Sequence, residues 1–303
     1  MEKKLRLAMV GAGSRANQVI YPAFQDLEGG EFVGICDIDA QRLQETGDKY
    51  HIENRYGQQG IYGYRRMVEE QKLNLYVEKP LALNIHQARS LAELARRGGC
   101  VTQVSLQRRY TPMVKLLREE CLKRGENVHP VCEFYKYEIQ DRFEARDHMM
   151  DDCVHAIDTL RWIHGCEVVD IDSTCRRIQT ADINFISAVL HFENGSVGHL
   201  LNSWSSGRRI FRVEMHAPGI FVDAEHEGKG YLYAGGEVQG VEYDTKEIAK
   251  SQEFFAYTGV RAAAADFVNA CLHGGQPACC FDNAVKAMEV AEKILAKALL
   301  NGQ

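Results

Sequence analysis

The apolar run Leu5–Val10, bounded by lysines and stopped at once by Gly11-Ala12-Gly13-Ser14-Arg15-Ala16, constrains this chain more than any other feature. A short apolar run without polar alternation reads as a strand buried on both faces, which belongs in a parallel sheet with helices on either side. The turn that follows fits the pattern G-x-G-x-x-A. Gly11 permits the tight turn, Gly13 lets the backbone approach a pyrophosphate, and Ala16 is small enough for a helix to pack closely. Ser14 and Arg15 complete the same turn and are counted with it. A second strand, Phe32–Cys36, ends in Asp37, about 20 residues on, where an acid accepts hydrogen bonds from adenosine ribose hydroxyls. Ile38 follows instead of an arginine, so no partner for a 2′-phosphate is prepared and NAD is expected over NADP. The alternative is that Asp37 caps the helix starting near Ala40.

The next segments keep the strand-helix alternation. Gly60-Ile61-Tyr62 reads as a third strand, Arg65–Gln71 as a short helix, and Leu73–Val77 as a strand ending in Glu78-Lys79-Pro80. Asn84, with Gln87 three residues later, forms a capping box for a helix through Ala95. Cys100–Leu106 is the next strand. Beyond it the alternation stops. A helix at Met113–Arg124 is followed by strands at Val131–Ile139, Val168–Ile178, Phe185–Phe192, Ser196–Ser203 and Ile210–Ala217, with shorter ones to Tyr243. Such a series implies a mostly antiparallel, open-faced sheet with helices on one face. The expected class is thus α/β plus α+β: a Rossmann-type dinucleotide-binding domain over 1–106 and a substrate-binding and oligomerisation domain over 107–303. The last helix, about 283–300, is expected to pack back on the first domain.

Composition removes several function classes. With 303 residues the chain has room for two cores, since single cores stop growing at about 250 residues. A net charge of -6 with interspersed signs offers no basic stripe for nucleic acid. No apolar stretch approaches the roughly 20 residues of a membrane span, and the N-terminus carries no export signal. The ten cysteines include no CxxC pair, so they read as reduced thiols in the cytoplasm.

Asp151, His155 and Asp158 recur at helical spacing, which would put all three on one face. Oxidising an alcohol requires a base for the hydroxyl proton, and histidine titrates in the useful range. Lys79, at the C-terminal end of a parallel strand, sits where ligands of such sheets gather. Its ammonium could stabilise charge on the same oxygen. Asp151 could position Lys79 or His155, or bind a neighbouring hydroxyl; Asp158 reads as structural. A lone helical histidine is usually surface or satisfied core, and it is the combination with Asp151 and Glu-Lys-Pro that favours chemistry here. His148, Asp151 and His155 offer a lesser, metal-binding reading, disfavoured because hydride transfer to nicotinamide needs no metal and no cysteine pair supports a structural zinc. Trp162 and Trp204 read as core, with Trp204 a lesser candidate for the pocket wall.

The glycine turn, the acid after the second strand, Glu78-Lys79-Pro80 and Asp151-x-x-x-His155-x-x-Asp158 together resemble the Gfo/Idh/MocA family, and the resemblance extends over nearly the whole chain to the helix after Phe281-Asp282-Asn283-Ala284. It implies catalytic roles for Lys79, Asp151 and His155, contact of Glu78 and Lys79 with the cofactor, and substrate contacts from Gln107-Arg108-Arg109-Tyr110, with Arg109 and Tyr110 the candidates; an interdomain salt bridge is an equal reading for Arg109. It also implies homodimers or homotetramers formed through the C-terminal sheet. The expected activity is NAD-dependent oxidation of a sugar, cyclitol or similar polyol; the alternatives are an NAD-using glycoside hydrolase of the same fold or a sugar-responsive regulator. One departure stands out. The family carries an extra strand, a Thr-Pro loop and a helix before the Glu-Lys-Pro strand, and on the order of 20 residues are missing here. Either the chain has an internal deletion that weakens cofactor binding, or a mobile segment of a longer chain lies outside these 303 residues. The second is expected, because loss of a central strand would leave backbone groups unpaired.

Overall fold

A computed structural model describes residues 5–27, 30–57, 66–67, 74–140 and 148–300. The first sheet is parallel and has the order β3-β2-β1-β4-β5, formed by β1 (Leu5–Val10), β2 (Gly30–Cys36), β3 (Asn54–Tyr56), β4 (Leu75–Val77) and β5 (Thr102–Val104). A π-helical turn, Ala16–Ile20, runs from the glycine turn into α1 (Tyr21–Gln25). Two further helices, α2 (Ala40–Lys49) and α3 (Ile85–Arg97), complete the alternation. Asn84 caps α3 by accepting from the Gln87 N–H at 3.0 Å, while Gln87 reaches back to the Leu83 N–H.

The third strand is not where the sequence pattern suggested. Asn54–Tyr56 pairs with Gly34–Cys36, and the Asn54 amide donates to the Val33 carbonyl at 2.7 Å. Three residues with one buried side chain leave no apolar run to detect. The expected strand Gly60–Tyr62 lies outside the described residues, and of the helix expected at Arg65–Gln71 only Arg66 and Met67 are described, both helical.

The strand before Glu78 is paired on both sides. Tyr76 pairs with Met9 on one side and Gln103 on the other. So β4 takes the place directly beside β1, and the five strands form one continuous sheet without the missing unit.

The second sheet has eight strands in the order β13-β12-β11-β10-β6-β9-β8-β7: β6 (Val131–Tyr137), β7 (Val168–Arg176), β8 (Phe185–Phe192), β9 (Val197–Ser203), β10 (Ser205–Ala217), β11 (Ile220–Glu225), β12 (Lys229–Ala234) and β13 (Val241–Asp244). All described pairings are antiparallel except β6 with β9. Strict alternation of burial along β8 and β9 shows one covered face, as a half-buried antiparallel sheet requires. That cover comes from α4 (Pro112–Leu122) on β10 to β12, α5 (Val154–His164) on β6 and β9, and a long C-terminal helix on β7.

Four helices close the chain: α6 (Thr245–Ala249), α7 (Phe254–Tyr257), α8 (Val260–His273) and α9 (Phe281–Leu300). The chain returns to the first sheet through two of them. Val260, Ala264, Phe267 and Val268 of α8 share a core with Met9, Ile20, Phe24 and Tyr76, and α9 packs on α3, tied by Arg89–Glu289 and Arg96–Asp282 ion pairs. All ten cysteines are free thiols. No described helix is long and apolar enough to cross a membrane.

Candidate active site

The turn after β1 has the form a dinucleotide needs. Gly11 has φ +106°, a conformation that penalises any side chain, and its N–H donates to the Cys36 carbonyl at 2.8 Å. A Cβ added at Gly11 or Gly13 would meet nothing within 4 Å, so the outer side of the turn is open. Ala16 is buried against the helix core, as its size suggested. Asp37 accepts from the Ala12 N–H at 2.5 Å and from the Asp39 N–H at 2.8 Å. The cap of α2 is Asp39, which accepts from the N–H groups of Gln41 and Arg42, so Asp37 is not needed there. An open glycine turn with an acid fastened beside it fits the pyrophosphate and ribose of a dinucleotide.

The strand end carrying Glu78 and Lys79 meets the second sheet in a cleft of about 180 Å³, lined by Arg15, Glu78, Lys79, Gln107, Arg108, Phe134, Lys136, Asp152, His155 and Arg209. Lys79 Nζ is 2.6 Å from Asp151 Oδ1 and 3.8 Å from Asp152 Oδ1. Lys79 and His155, 76 positions apart in the chain, thus come from different sheets' elements to one cavity. Burial pushes the Glu78 carboxyl up. It also holds His155 well below 6.5, and the neighbouring charges of Lys79 and Arg108 act in the same direction. His155 is 4% exposed and its Nδ1 is buried without a partner, leaving Nε2 as the nitrogen able to meet a substrate.

The helix bearing these residues opens with a π-helical turn, Met149–Cys153, before α5 begins at Val154. Such turns add a residue to the helical repeat and recur at functional sites. Here the turn takes Asp151 out of the regular helical repeat that carries His155 and Asp158. Asp158 is 1% exposed and lies away from the cleft, ion-paired through both carboxylate oxygens to Arg109. Arg109, 7% exposed, also reaches the Ala278 carbonyl and Asn283. Tyr110 donates to Asp266 Oδ2 at 2.6 Å. Neither candidate substrate residue lines the cleft; it is their neighbours Gln107 and Arg108 that do.

Several cleft residues were not singled out by spacing. Asp152, adjacent to Asp151, accepts from Lys136 at 2.5 Å and from the Trp204 indole at 2.9 Å. Although burial alone would raise its pKa, Lys136 and Lys79 hold the Asp152 carboxyl well below the usual range. Trp204 is fully buried, so its place is core, with one polar tie to the site. Glu138, His148 and Asp152 lie close enough for a metal, but Lys136 Nζ already bonds Asp152 and sits 3.5 Å from Glu138. An ammonium thus already lies against both carboxylates of that group. Lys136, Phe134 and Arg209 belong to adjacent strands β6 and β10, and only alternation along those strands could have pointed to them.

Residues 131–219 match the GFO/IDH/MocA C-terminal domain. D-apiose dehydrogenase of Paraburkholderia graminis is 24% identical over a match covering 37% of this chain and 35% of that protein. The NAD(+) scyllo-inositol 2-dehydrogenase of Bacillus subtilis is 23% identical over 44% of this chain and 42% of its own. These matches span less than half of either relative. The fold likeness is wider: levoglucosan dehydrogenase, solved in complex with NADH and L-sorbose, superimposes with a TM-score of 0.83 over 98% of this chain and 97% of its own, at 14% identity. The match to the GFO/IDH/MocA C-terminal domain thus covers β6 to β10 of the second sheet, and the two-sheet architecture is that of the solved dehydrogenase on which the chain superimposes.

Proposed function

We propose that the protein is an NAD-dependent oxidoreductase acting on a hydroxyl-bearing carbon of a sugar, cyclitol or similar polyol. The observation that carries this reading is the meeting of Lys79 and His155 in one cleft that Arg15 of the glycine turn also lines. Named relatives act on apiose and scyllo-inositol, which supports the alcohol class. Gly11, Gly13, Ser14, Arg15 and Ala16 would hold the pyrophosphate, Asp37 the adenosine ribose, and Glu78 with Lys79 the nicotinamide end. When bound, the nicotinamide supplies the acceptor for the hydride leaving the carbinol carbon.

The protein's own contribution is proton handling and orientation. His155, kept neutral by burial and by the cations around it, accepts the hydroxyl proton at Nε2. Lys79, steered by the Asp151 carboxylate, donates to the same oxygen and offsets the negative charge that grows on it. Asp151 acts through Lys79, as a positioning residue.

The half-buried face of the second sheet, with Val189, Val197 and Leu201 on it, supports assembly into a homodimer or homotetramer. Calorimetric titration with NAD and NADP, followed by NADH formation across a polyol panel, tests the catalytic reading. Absence of NAD binding would overturn it.

A further inference from the structure

Resting on the reading of the cleft as an alcohol-oxidising site, we propose that its substrate carries a carboxylate, as a sugar acid does, and that Arg108 and Arg209 receive it. Five of the ten residues lining the cleft are cationic: Arg15, Lys79, Arg108, Lys136 and Arg209. Cationic side chains only donate hydrogen bonds. Of the two carboxylates in the wall, Asp152 is taken by Lys136 and Trp204, and Glu78 is largely buried with its Oε1 enclosed. A neutral polyol must donate as well as accept, and this wall gives its hydroxyls few acceptors. An acceptor-rich anion fits it better.

The arginine pair has the form of a receptor for such a group. Glu227 Oε1 accepts from Arg108 Nη1 at 3.0 Å and from Arg209 Nη2 at 2.8 Å. One carboxylate therefore holds two guanidinium groups, and the corner keeps one positive charge uncompensated. Arg108 lies with its guanidinium 4.7 Å from the Phe211 ring centre, and its side chain is 5% exposed. Its Nε is buried with no hydrogen-bond partner. A guanidinium retained only for packing would have its donors satisfied; this one is under-satisfied by the protein and lines the cleft. Arg209, 48% exposed, extends over the Phe134 ring that forms part of the wall. Guanidinium donors in a rigid fork match the two oxygens of a carboxylate.

The test uses NAD-loaded protein and calorimetric titration with four- to six-carbon sugar acids, each beside its neutral sugar or alditol, and with glucose 6-phosphate. The acids should bind about tenfold or more tightly than their neutral partners. In Arg209→Gln that preference should fall to near parity with NAD affinity and melting temperature unchanged. Arg208→Gln, a change at an exposed residue paired with Glu225 outside this cleft, is the control and should keep the preference. Equal binding of acids and neutral compounds, no binding of any acid, or an unaltered preference in Arg209→Gln would overturn the proposal. So would tighter binding of the sugar phosphate, which would assign the pair to a phosphate. Turnover of neutral polyols without acid preference would leave the oxidoreductase reading standing and remove this one. Acid binding without any turnover would do the reverse.

Discussion

The ammonium of Lys79, at the end of a parallel strand, rests 2.6 Å from the carboxylate of Asp151, which opens a helix of the other lobe. Both side chains are about four-fifths buried, so the pair is shielded enough to fix the lysine's direction. Lys79→Ala should reduce turnover by about two to four orders of magnitude, a far larger effect than the weakening of NAD binding seen by calorimetry. Asp151→Asn keeps the shape and loses the charge, and should cost less than Lys79→Ala because it acts through the lysine. Near-normal rates in Lys79→Ala would remove the assignment.

For His155 the expectation concerns both rate and pH. His155→Ala should lower turnover by roughly 10²–10⁴-fold. Because burial, Lys79 and Arg108 hold the imidazole well below 6.5, the neutral, proton-accepting form persists into acid. The acid limb of the kcat/KM profile should therefore fall below pH 6.5, and a limb centred above that value would contradict the role.

Asp37 ties the glycine turn by accepting from Ala12 and stands where a ribose would be held. Asp37→Ala should weaken NAD binding by about tenfold or more, corresponding to loss of hydrogen bonds to a charged group. The α2 helix should remain, since Asp39 is its cap. Calorimetry with circular dichroism separates the two effects.

Acid stability follows from two buried histidines, His155 and His226, and a half-buried one, His164. Burial lowers the pKa of His155 and His226 well below 6.5 and that of His164 to about 4. Below about 6.5 the unfolded chain takes up protons that the folded one refuses, so stability present above that pH is lost as pH falls through it. Each such group contributes a slope of up to about 1.4 kcal/mol per pH unit. Melting temperature should drop steadily from pH 6.5 toward 4, and His164→Gln should flatten the fall.

Removing either partner of the Arg109–Asp158 pair leaves a buried charge alone. Asp158→Ala should cost about 3–5 kcal/mol, seen as a lower denaturant midpoint, with kcat of the folded fraction little altered because the pair lies outside the cleft.

The parts of this molecule that sequence made legible are those with local signatures. Leu5–Val10 was readable because Leu7–Val10 is an unbroken apolar stretch stopped by glycine, and Asn84–Gln87 because a helix cap is a local event. Lys79 was readable from its place in Glu78-Lys79-Pro80 at a strand end, and His155 from its helical spacing with Asp151. Asn54–Tyr56 was missed because its pairing, not its composition, makes it a strand. Asp158 read as structural and is buried against Arg109, whereas the π-helical turn that carries Asp151 leaves no mark in spacing. Arg108 was overlooked beside Arg109 since one residue's rotation in a 3₁₀ turn decides which guanidinium enters the cleft and which is buried with Asp158. Lys136, Phe134 and Arg209 meet only after two strands pair, so nothing in their neighbourhoods announces them.

Phe267 lies 5.7 Å from Tyr76 and 6.3 Å from Phe24, ring centre to ring centre, although it is made long after either. A nascent chain emerging from the ribosome consequently exposes the inner surface of Ile20, Phe24 and Tyr76 until α8 is synthesised, on the order of ten seconds or more at ordinary elongation speeds. The first lobe is finished by its distant end, and its core stays open to water for that interval.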